Sequence, residues 1–393
     1  MGTIKAVMFS ALPPVRRPVP LCARSTNGHL ALTRLFGDRT ITPYSSGTAA
    51  LARALTLCAT RACIANPEVI IPAYGCPALI ASCIQAGVSP RLVDTAEVTW
   101  SYDPNALPDS LTSRTVAIVA VNLLGVGDGS QYLSDVCRRA GISLIQDSAQ
   151  FLPRVATEWP GEYVILSFGR GKPMNMLYGG ALIGPSFAPP DCTREVTKHT
   201  IRDRLLGTSA AAIAFNFLTS PHPYWALSAL PGTGIGRVAY TPLTNTSPLP
   251  KNELQRLDAA FQCYRAAQSY RRDIWAPALD EWASFGILPL KGADCVTQME
   301  PLRLALLAPD ENTRNLIVEA LNTAHLGASR FYGCDLPHVS GIPEAVRRQG
   351  PFPNATSLAQ RLFTLPTYAL VTQETVTNAR AQIMTLHRSR RFN

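Results

Sequence analysis

Through the first half of the chain, short apolar runs alternate with stretches whose apolar residues recur at helical spacing. From Glu68 onward EVIIPAY reads as a strand, PALIASCIQAG as a helix and PRLVD as a strand. After a polar interval TVAIVAVN reads as a strand, SQYLSDVCRRAG as a helix and ISLIQD as a strand. Ahead of them, ITPYSSGTAALARALTLCATRA places a Ser-Ser-Gly-Thr turn before an Ala- and Leu-rich helix. Behind them, Tyr163 to Leu166 with Phe168 predicts a buried strand that runs into a Gly-rich turn carrying Lys172. Strands alternating with helices imply crossover units and a mainly parallel sheet with helices on both faces, an α/β fold. Such sheets bind ligands beyond the carboxyl ends of their strands. Three segments are candidates for that edge: the Ser-Gly-Thr turn, Asp147 directly after ISLIQ, and the turn from Ser167 to Lys172.

The second half is organised differently. A Pro-rich break after Gly184 (PSFAPPDC) leads into a helical region to about Leu230, and a second break, PGTGIGRVAYTPLTNTSPLPKN, precedes a long helical stretch from about Asn252 to Trp282. Pro277 predicts a kink or break there. RLALLAP and LFTLP then read as strands, ENTRNLIVEALNTAHLG and TQETVTNARAQIMTLH as helices, the last capped by Thr372. The expected domains are a large one over 1–245, with an irregular lead-in over residues 1–40 marked by Pro13, Pro14, Pro18 and Pro20, and a smaller α+β one over 246–393 that includes the long linking helix.

Composition narrows the class. With 47% hydrophobic and 16% charged residues among 393, the chain carries a substantial buried core. The net charge of +9 favours anionic ligands, but the basic residues are spread, apart from the tail His387 to Arg391, so no nucleic-acid partner is expected. Ten cysteines lack CxxC pairs or regular spacing and read as buried free thiols of a reducing cytoplasm. No targeting signal is evident at MGTIKA. The most membrane-like stretch, LLGTSAAAIAFNFLTS, is about 16 residues long and contains Asn216, so it reads as a buried or subunit-interface helix. GVGDGS at 125–130 has Ser130 where a dinucleotide fingerprint has its third glycine, which leaves a loop. Six ungrouped histidines give no metal site.

Each candidate segment alone has an ordinary reading. Ser45 or Ser46 caps the helix, leaving amides at Gly47 and Thr48 to bind phosphate, yet any capped helix looks the same. Asp147 with Gln150 reads equally as a helix cap with a surface amide, and Ser167 as a strand-end hydroxyl satisfied by backbone. Lys172 is one of 36 Lys and Arg residues; a nearby Arg170 would lower its pKa and favour the amine nucleophile. Together they carry more. A phosphate cradle, an aspartate 100 residues after Gly47 and a lysine 25 residues further on are what pyridoxal 5′-phosphate requires: amides and hydroxyls for its phosphate, a carboxylate for its pyridinium nitrogen, and an amine for its aldehyde.

At these residues the chain resembles the sugar aminotransferases of the DegT/DnrJ/EryC1/StrS family, fold-type I pyridoxal phosphate enzymes. The matching pieces are SSGTAAL at 45–51, VIIPAY followed after a helix by AGVSPRLVD, IQDSAQ at 145–150, SFGRGK at 167–172 with Gly179 and Gly180, and FTLPTY near the end. The resemblance implies that Lys172 is the Schiff-base lysine and proton shuttle, that Asp147 pairs with the ring nitrogen, that Gln150 bonds the phenolic oxygen, and that Gly47, Thr48 and Ser167 hold the phosphate. It implies a homodimer with shared active sites that transfers an amino group from an amino acid, glutamate foremost, to a keto sugar carried on a nucleotide. Three positions depart from the pattern. Cys76 stands where an aromatic usually stacks on the ring, with Tyr74 as a substitute two residues earlier; Asn122 replaces a common histidine; and the GxNYR segment has no counterpart between Gly232 and Leu257. Another pyridoxal phosphate reaction, a non-sugar acceptor, or a catalytically silent cofactor-binding regulator are the alternative readings.

Overall fold

The alternation in the first half is realised as a seven-stranded sheet in the computed structural model, which describes residues 10–21, 30–124, 129–152, 159–185, 208–230, 236, 238–266, 272–290 and 302–389. The strands are β1 (Thr40–Tyr44), β2 (Glu68–Pro72), β3 (Ser89–Val93), β4 (Thr115–Val121), β5 (Ser143–Asp147), β6 (Tyr163–Ser167) and β7 (Gly180–Gly184), in the spatial order β1-β7-β6-β5-β4-β2-β3. From β3 to β6 neighbours run parallel, whereas β7 is antiparallel to both β6 and β1. Side chains of successive strand residues point to opposite faces, and the core divides accordingly. Val69, Ile71, Val119, Val121 and Ile145 pack with helices α2 (Gly47–Ala62) and α3 (Ala78–Ala86), while Ile70, Ile118, Ala120 and Leu144 pack with α4 (Ser130–Ala140) on the other side. Both faces of the central strands are therefore dry, which is why those strands read as unbroken apolar runs.

A three-stranded antiparallel sheet, β8 (Leu288–Pro289), β9 (Leu304–Leu307) and β10 (Leu362–Leu365), in the order β10-β9-β8, carries the C-terminal helices Glu311–Thr323 and Gln373–Arg388. Their shared core includes Trp275, Trp282, Ile317, Phe363 and Ile383. Thr372 caps the last helix in a reciprocal box with Thr375, as its sequence predicts. This fold-type I arrangement, a large mostly parallel sheet with helices on both faces and a smaller sheet domain, is the one expected.

Several local expectations change. The lead-in is not wholly irregular: Leu30–Phe36 forms α1, because Leu32 and Phe36, four apart, bury one stripe, with the Phe36 and Trp159 ring centroids 4.6 Å apart. Strands β1 and β7 lie in ITPY and GALIG, which their proline and glycines disguise. Of the kink or break expected at Pro277 the structure has the break: Leu257–Ala266 and Ala276–Ala283 are separate helices, with Pro277 in the first turn of the second, where a proline gives up no intrahelical bond. Residues 125–128 of GVGDGS, the break from 186 onward and the last residues of the basic tail (390–393) lie outside the described residues.

The proline-rich residues 10–21 act as a strap. The Asn216 amide brackets Val19 from both sides, accepting from its N–H at 2.8 Å and donating to its carbonyl at 2.9 Å. Leu12 N–H donates to His325 O at 2.9 Å and Tyr368 OH to Pro13 O at 2.7 Å. A polar residue inside the apolar helix Thr208–Leu218 thus has a partner. No helix among the described residues is long and apolar enough to cross a membrane. Cys58, Cys83 and Cys137 are buried, and burial pushes the Cys58 thiol up to about 11 and Cys137 to about 12, so neither is a thiolate at neutral pH; Cys63 and Cys263 are exposed.

Candidate active site

The carboxyl ends of β4, β5 and β6 are aligned by the ladder itself: Val121 pairs with Asp147, and Asp147 with Ile165. The residue after β4, Asn122, and the last residue of β6, Ser167, therefore come to the same edge as Asp147. The start of α2 closes the edge from one side. Ser46 is the cap, its hydroxyl accepting from Ala49 N–H at 3.0 Å, so the Gly47 and Thr48 amides retain the free state of first-turn N–H groups. Glycine at 47 is dictated by packing, since a Cβ there would lie 2.9 Å from Ser167 Cβ. Gly180 is tighter still: its Cβ would fall 2.4 Å from Gly47 N, main chain against main chain.

The Lys172 loop is stitched to that turn. Phe168 N–H donates to Gly179 O at 2.8 Å, Gly179 N–H to Ser45 O at 3.0 Å, and Lys172 N–H closes its own turn on Gly169 O at 3.2 Å. Gly171 adopts φ +69°, a conformation that disfavours any Cβ, with Val15 of the N-terminal strap packed against it. One cavity of about 180 Å³ results, lined by Gly47, Thr48, Cys76, Asn122, Asp147, Gln150, Ser167, Lys172 and Tyr332, among others. Seven of the eight residues singled out from the sequence, parted by up to 125 positions in the chain, meet there.

Tyr74 does not. It is fully buried and outside the cavity lining, because Ala73 N–H pairs with Val93 O at 2.8 Å and turns the next side chain into the core. Its ring instead meets Tyr332 edge-on, centroids 5.7 Å apart. Tyr332, unremarked in the sequence, is the aromatic residue of the cavity lining and receives a 3.0 Å hydrogen bond from Gln150 Nε2. Burial pushes its phenol well above the ordinary range, so it stays a neutral donor. Arg170 is exposed and outside the lining, so it does not bring its charge into the cavity beside Lys172. Within the stretch that lacks a GxNYR segment, residues 245–249 run beside the cradle: Ser45 N–H donates to Ser247 O at 2.9 Å, and Pro248 pairs with Tyr44.

The electrostatics fit a cationic, polar ligand. Desolvation raises the Asp147 pKa, and the Ala149 N–H at 3.0 Å together with the field of Lys172 only partly offset it. A ring N–H⁺ set against this carboxylate would supply the missing charge. Gln150 Oε1 is likewise buried without a partner. The helix start for a phosphate, the under-compensated Asp147, the orphaned amide oxygen and the lysine match pyridoxal 5′-phosphate group by group.

The model of the DegT/DnrJ/EryC1/StrS aminotransferase family matches residues 30–217 and 237–384. The chain belongs to this family. The family works with pyridoxal 5′-phosphate. A 113-residue stretch is 35% identical to L-glutamine:scyllo-inosose aminotransferase of Streptomyces griseus, covering 29% of this chain and 26% of that enzyme's length. Among solved structures, the putative sugar aminotransferase Spr1654 from Streptococcus pneumoniae in its PLP form superposes with a TM-score of 0.68 at 18% identity, covering 98% of this chain and 94% of that one. DesI, solved in the presence of its TDP-sugar product, gives 0.68 at 19% identity, over 97% and 94%. At these identities the structures show the shared fold.

Proposed function

We propose that this family member is a pyridoxal 5′-phosphate-dependent aminotransferase moving an amino group from an α-amino acid to the carbonyl of a keto sugar or keto cyclitol. The observation that carries it is the convergence of Lys172, Asp147 and the free start of α2 in one cavity. Bound there, the cofactor would supply a carbonyl that exchanges amines and a ring that accepts electrons. The chain's own residues do the rest. Gly47, Thr48 and Ser167 hold the phosphate, and Asp147 keeps the proton on the ring nitrogen. Gln150, fixed by Tyr332, orients the phenolic oxygen. The Lys172 amine would act first as base and then as acid, moving the proton at the donor Cα.

For the donor, glutamine is favoured by the name of the Streptomyces griseus relative and glutamate by the resemblance; both present the same α-amino acid head. For the acceptor, a nucleotide-linked sugar is supported by the product seen with DesI and by the net charge of +9, and an uncharged cyclitol by the inosose relative. The exposed apolar face of Thr208–Leu218, with Ile213, Phe217 and Leu218 each more than 40% accessible, suits a second copy of the chain, in keeping with a homodimer. The test is a panel: glutamine or glutamate should convert the visible band of the loaded protein to the amine form, and keto-sugar nucleotides or keto cyclitols should restore it. A colourless protein that takes up no cofactor sinks the reading. Bleaching without one equivalent of keto acid points to another reaction type.

A further inference from the structure

The turn that carries Lys172 is held from two sides. On one side the sheet holds it, through the Phe168 and Gly179 pair already described and through Met176 N–H, which donates to Phe168 O at 2.8 Å. On the other side lies the proline-rich strap. Val15 sits over Gly171, where a Cβ would come 3.0 Å from its Cγ1, so the strap touches the residue directly before Lys172. Three residues after the lysine, the Asn175 side chain is 2% exposed and works in both directions: Nδ2 donates to Arg17 O at 2.5 Å, and Oδ1 accepts from Leu177 N–H at 3.0 Å. The second bond fixes Leu177 at φ +76°, a backbone conformation that a residue with a side chain rarely adopts.

The strap itself is built to resist displacement. Pro13, Pro14, Pro18 and Pro20 restrict its backbone, and its carbonyls are received by separate parts of the fold: Pro13 O by Tyr368 OH of the smaller domain, Arg17 O by Asn175 and Pro20 O by Arg256 at 3.1 Å. Near its start, main chain lies against main chain, since a Cβ on Gly327 would fall 2.6 Å from Leu12 O. The strap thus runs from the smaller domain, across the Lys172 turn, to the helices of Asn216 and Arg256. None of its residues lines the cavity, and the phosphate cradle is packed against Gly180 of β7 instead. We propose that the strap positions Lys172, with Val15 and Asn175 as the positioning residues and the smaller domain as the far anchor. An amine that must meet a carbonyl in a fixed ring site depends on such support, because a misplacement of about 1 Å can cost on the order of 100-fold.

The proposal rests on the reading of Lys172 as the cofactor's amine, and two ligands separate the two claims. Pyridoxal 5′-phosphate engages both the cradle and the lysine. Pyridoxine 5′-phosphate has the same phosphate and ring with an alcohol in place of the aldehyde, so it engages the cradle and ring site without the amine. Each is titrated into cofactor-free wild type, Val15→Ala, Asn175→Ala and Tyr368→Phe, the first followed by its visible band and the second by melting temperature. The dissociation constant of pyridoxal 5′-phosphate should rise about 10-fold in Val15→Ala, about 30-fold in Asn175→Ala and about 3-fold in Tyr368→Phe, which loosens only the far anchor. Pyridoxine 5′-phosphate should bind all four proteins alike, a pattern that a general loss of structure does not produce. Tyr368→Phe, which removes a single hydroxyl, carries the test if either of the other variants fails to fold. Equal affinity for pyridoxal 5′-phosphate in every folded protein overturns the proposal. So does equal weakening of both ligands, which would make the strap a support of the whole site. A wild type that binds pyridoxine 5′-phosphate yet forms no visible band with pyridoxal 5′-phosphate defeats the reading of Lys172 itself, and the strap's role falls with it.

Discussion

The two ends of the parallel sheet treat a buried carboxylate in contrasting ways. At the amino end, Glu68 opens β2 with its side chain 9% accessible and surrounded by partners: Arg114 pairs with it directly, Arg91 approaches to 3.9 Å, and Thr112 Oγ1 donates at 2.7 Å. At the carboxyl end, Asp147 closes β5 with one N–H and the field of a lysine, too little to offset its desolvation. The charge at the first end is satisfied by the fold, and the one at the second is left under-compensated. A site can thus be recognised by what its folded state leaves unpaid electrostatically.

Asp147→Asn gives the largest expected break in that comparison. Turnover of the loaded enzyme should fall on the order of 10³-fold, because a neutral amide does not keep the ring nitrogen protonated. The cofactor-free protein should become more stable at neutral pH. The sign follows from linkage: the folded-state pKa of Asp147 lies above its unfolded value, so the folded protein binds the proton more tightly and its stability falls as pH rises from the ordinary carboxylate range through that raised pKa. Melting curves at neutral and acidic pH should show the advantage of the variant shrinking on acidification. An apoprotein destabilised by Asp147→Asn at neutral pH would break the contrast.

Packing at the cradle comes next. Gly180→Ala places a Cβ against Gly47 N and should cost about 2–3 kcal/mol in chemical denaturation while weakening cofactor binding. Gly141→Ala, at φ +68° with open space around it, should cost about 1 kcal/mol and leave binding alone. Glu68→Gln should lower stability by about 1–2 kcal/mol without altering kcat or KM, the reverse of Asp147→Asn on both counts. The smallest effect is that of Tyr332→Phe. Loss of the hydroxyl that receives the Gln150 bond should reduce cofactor affinity about 5-fold, read by titration of the visible band.

The legibility of the molecule follows the same division. Asp147, Ser167, Lys172 and the Gly47–Thr48 turn could be found in the sequence because each sits where a strand meets a turn, and the residue types there are those the proposed cofactor site would need. Cys76 was found as the departure from an expected aromatic. Tyr332 escaped because no local pattern marks it: one tyrosine in SRFYG reads as an ordinary packed group, and only the fold brings it to the cavity more than 100 positions from Lys172. Tyr74 was misplaced for a related reason, since a main-chain pair between Ala73 and Val93 decides its direction. β1 and β7 were hidden by Pro43 and by two glycines, Gly180 pressed against the start of α2 and Gly184 against the Tyr163 ring.

The central claim is that Lys172 is the amine that holds the cofactor. Protein loaded with pyridoxal 5′-phosphate, reduced with borohydride and digested, should yield a single modified peptide by mass spectrometry, with the phosphopyridoxyl group on Lys172 and none in Lys172→Ala. A stable adduct on a different lysine, or a wild type that binds cofactor without forming one, would contradict the account.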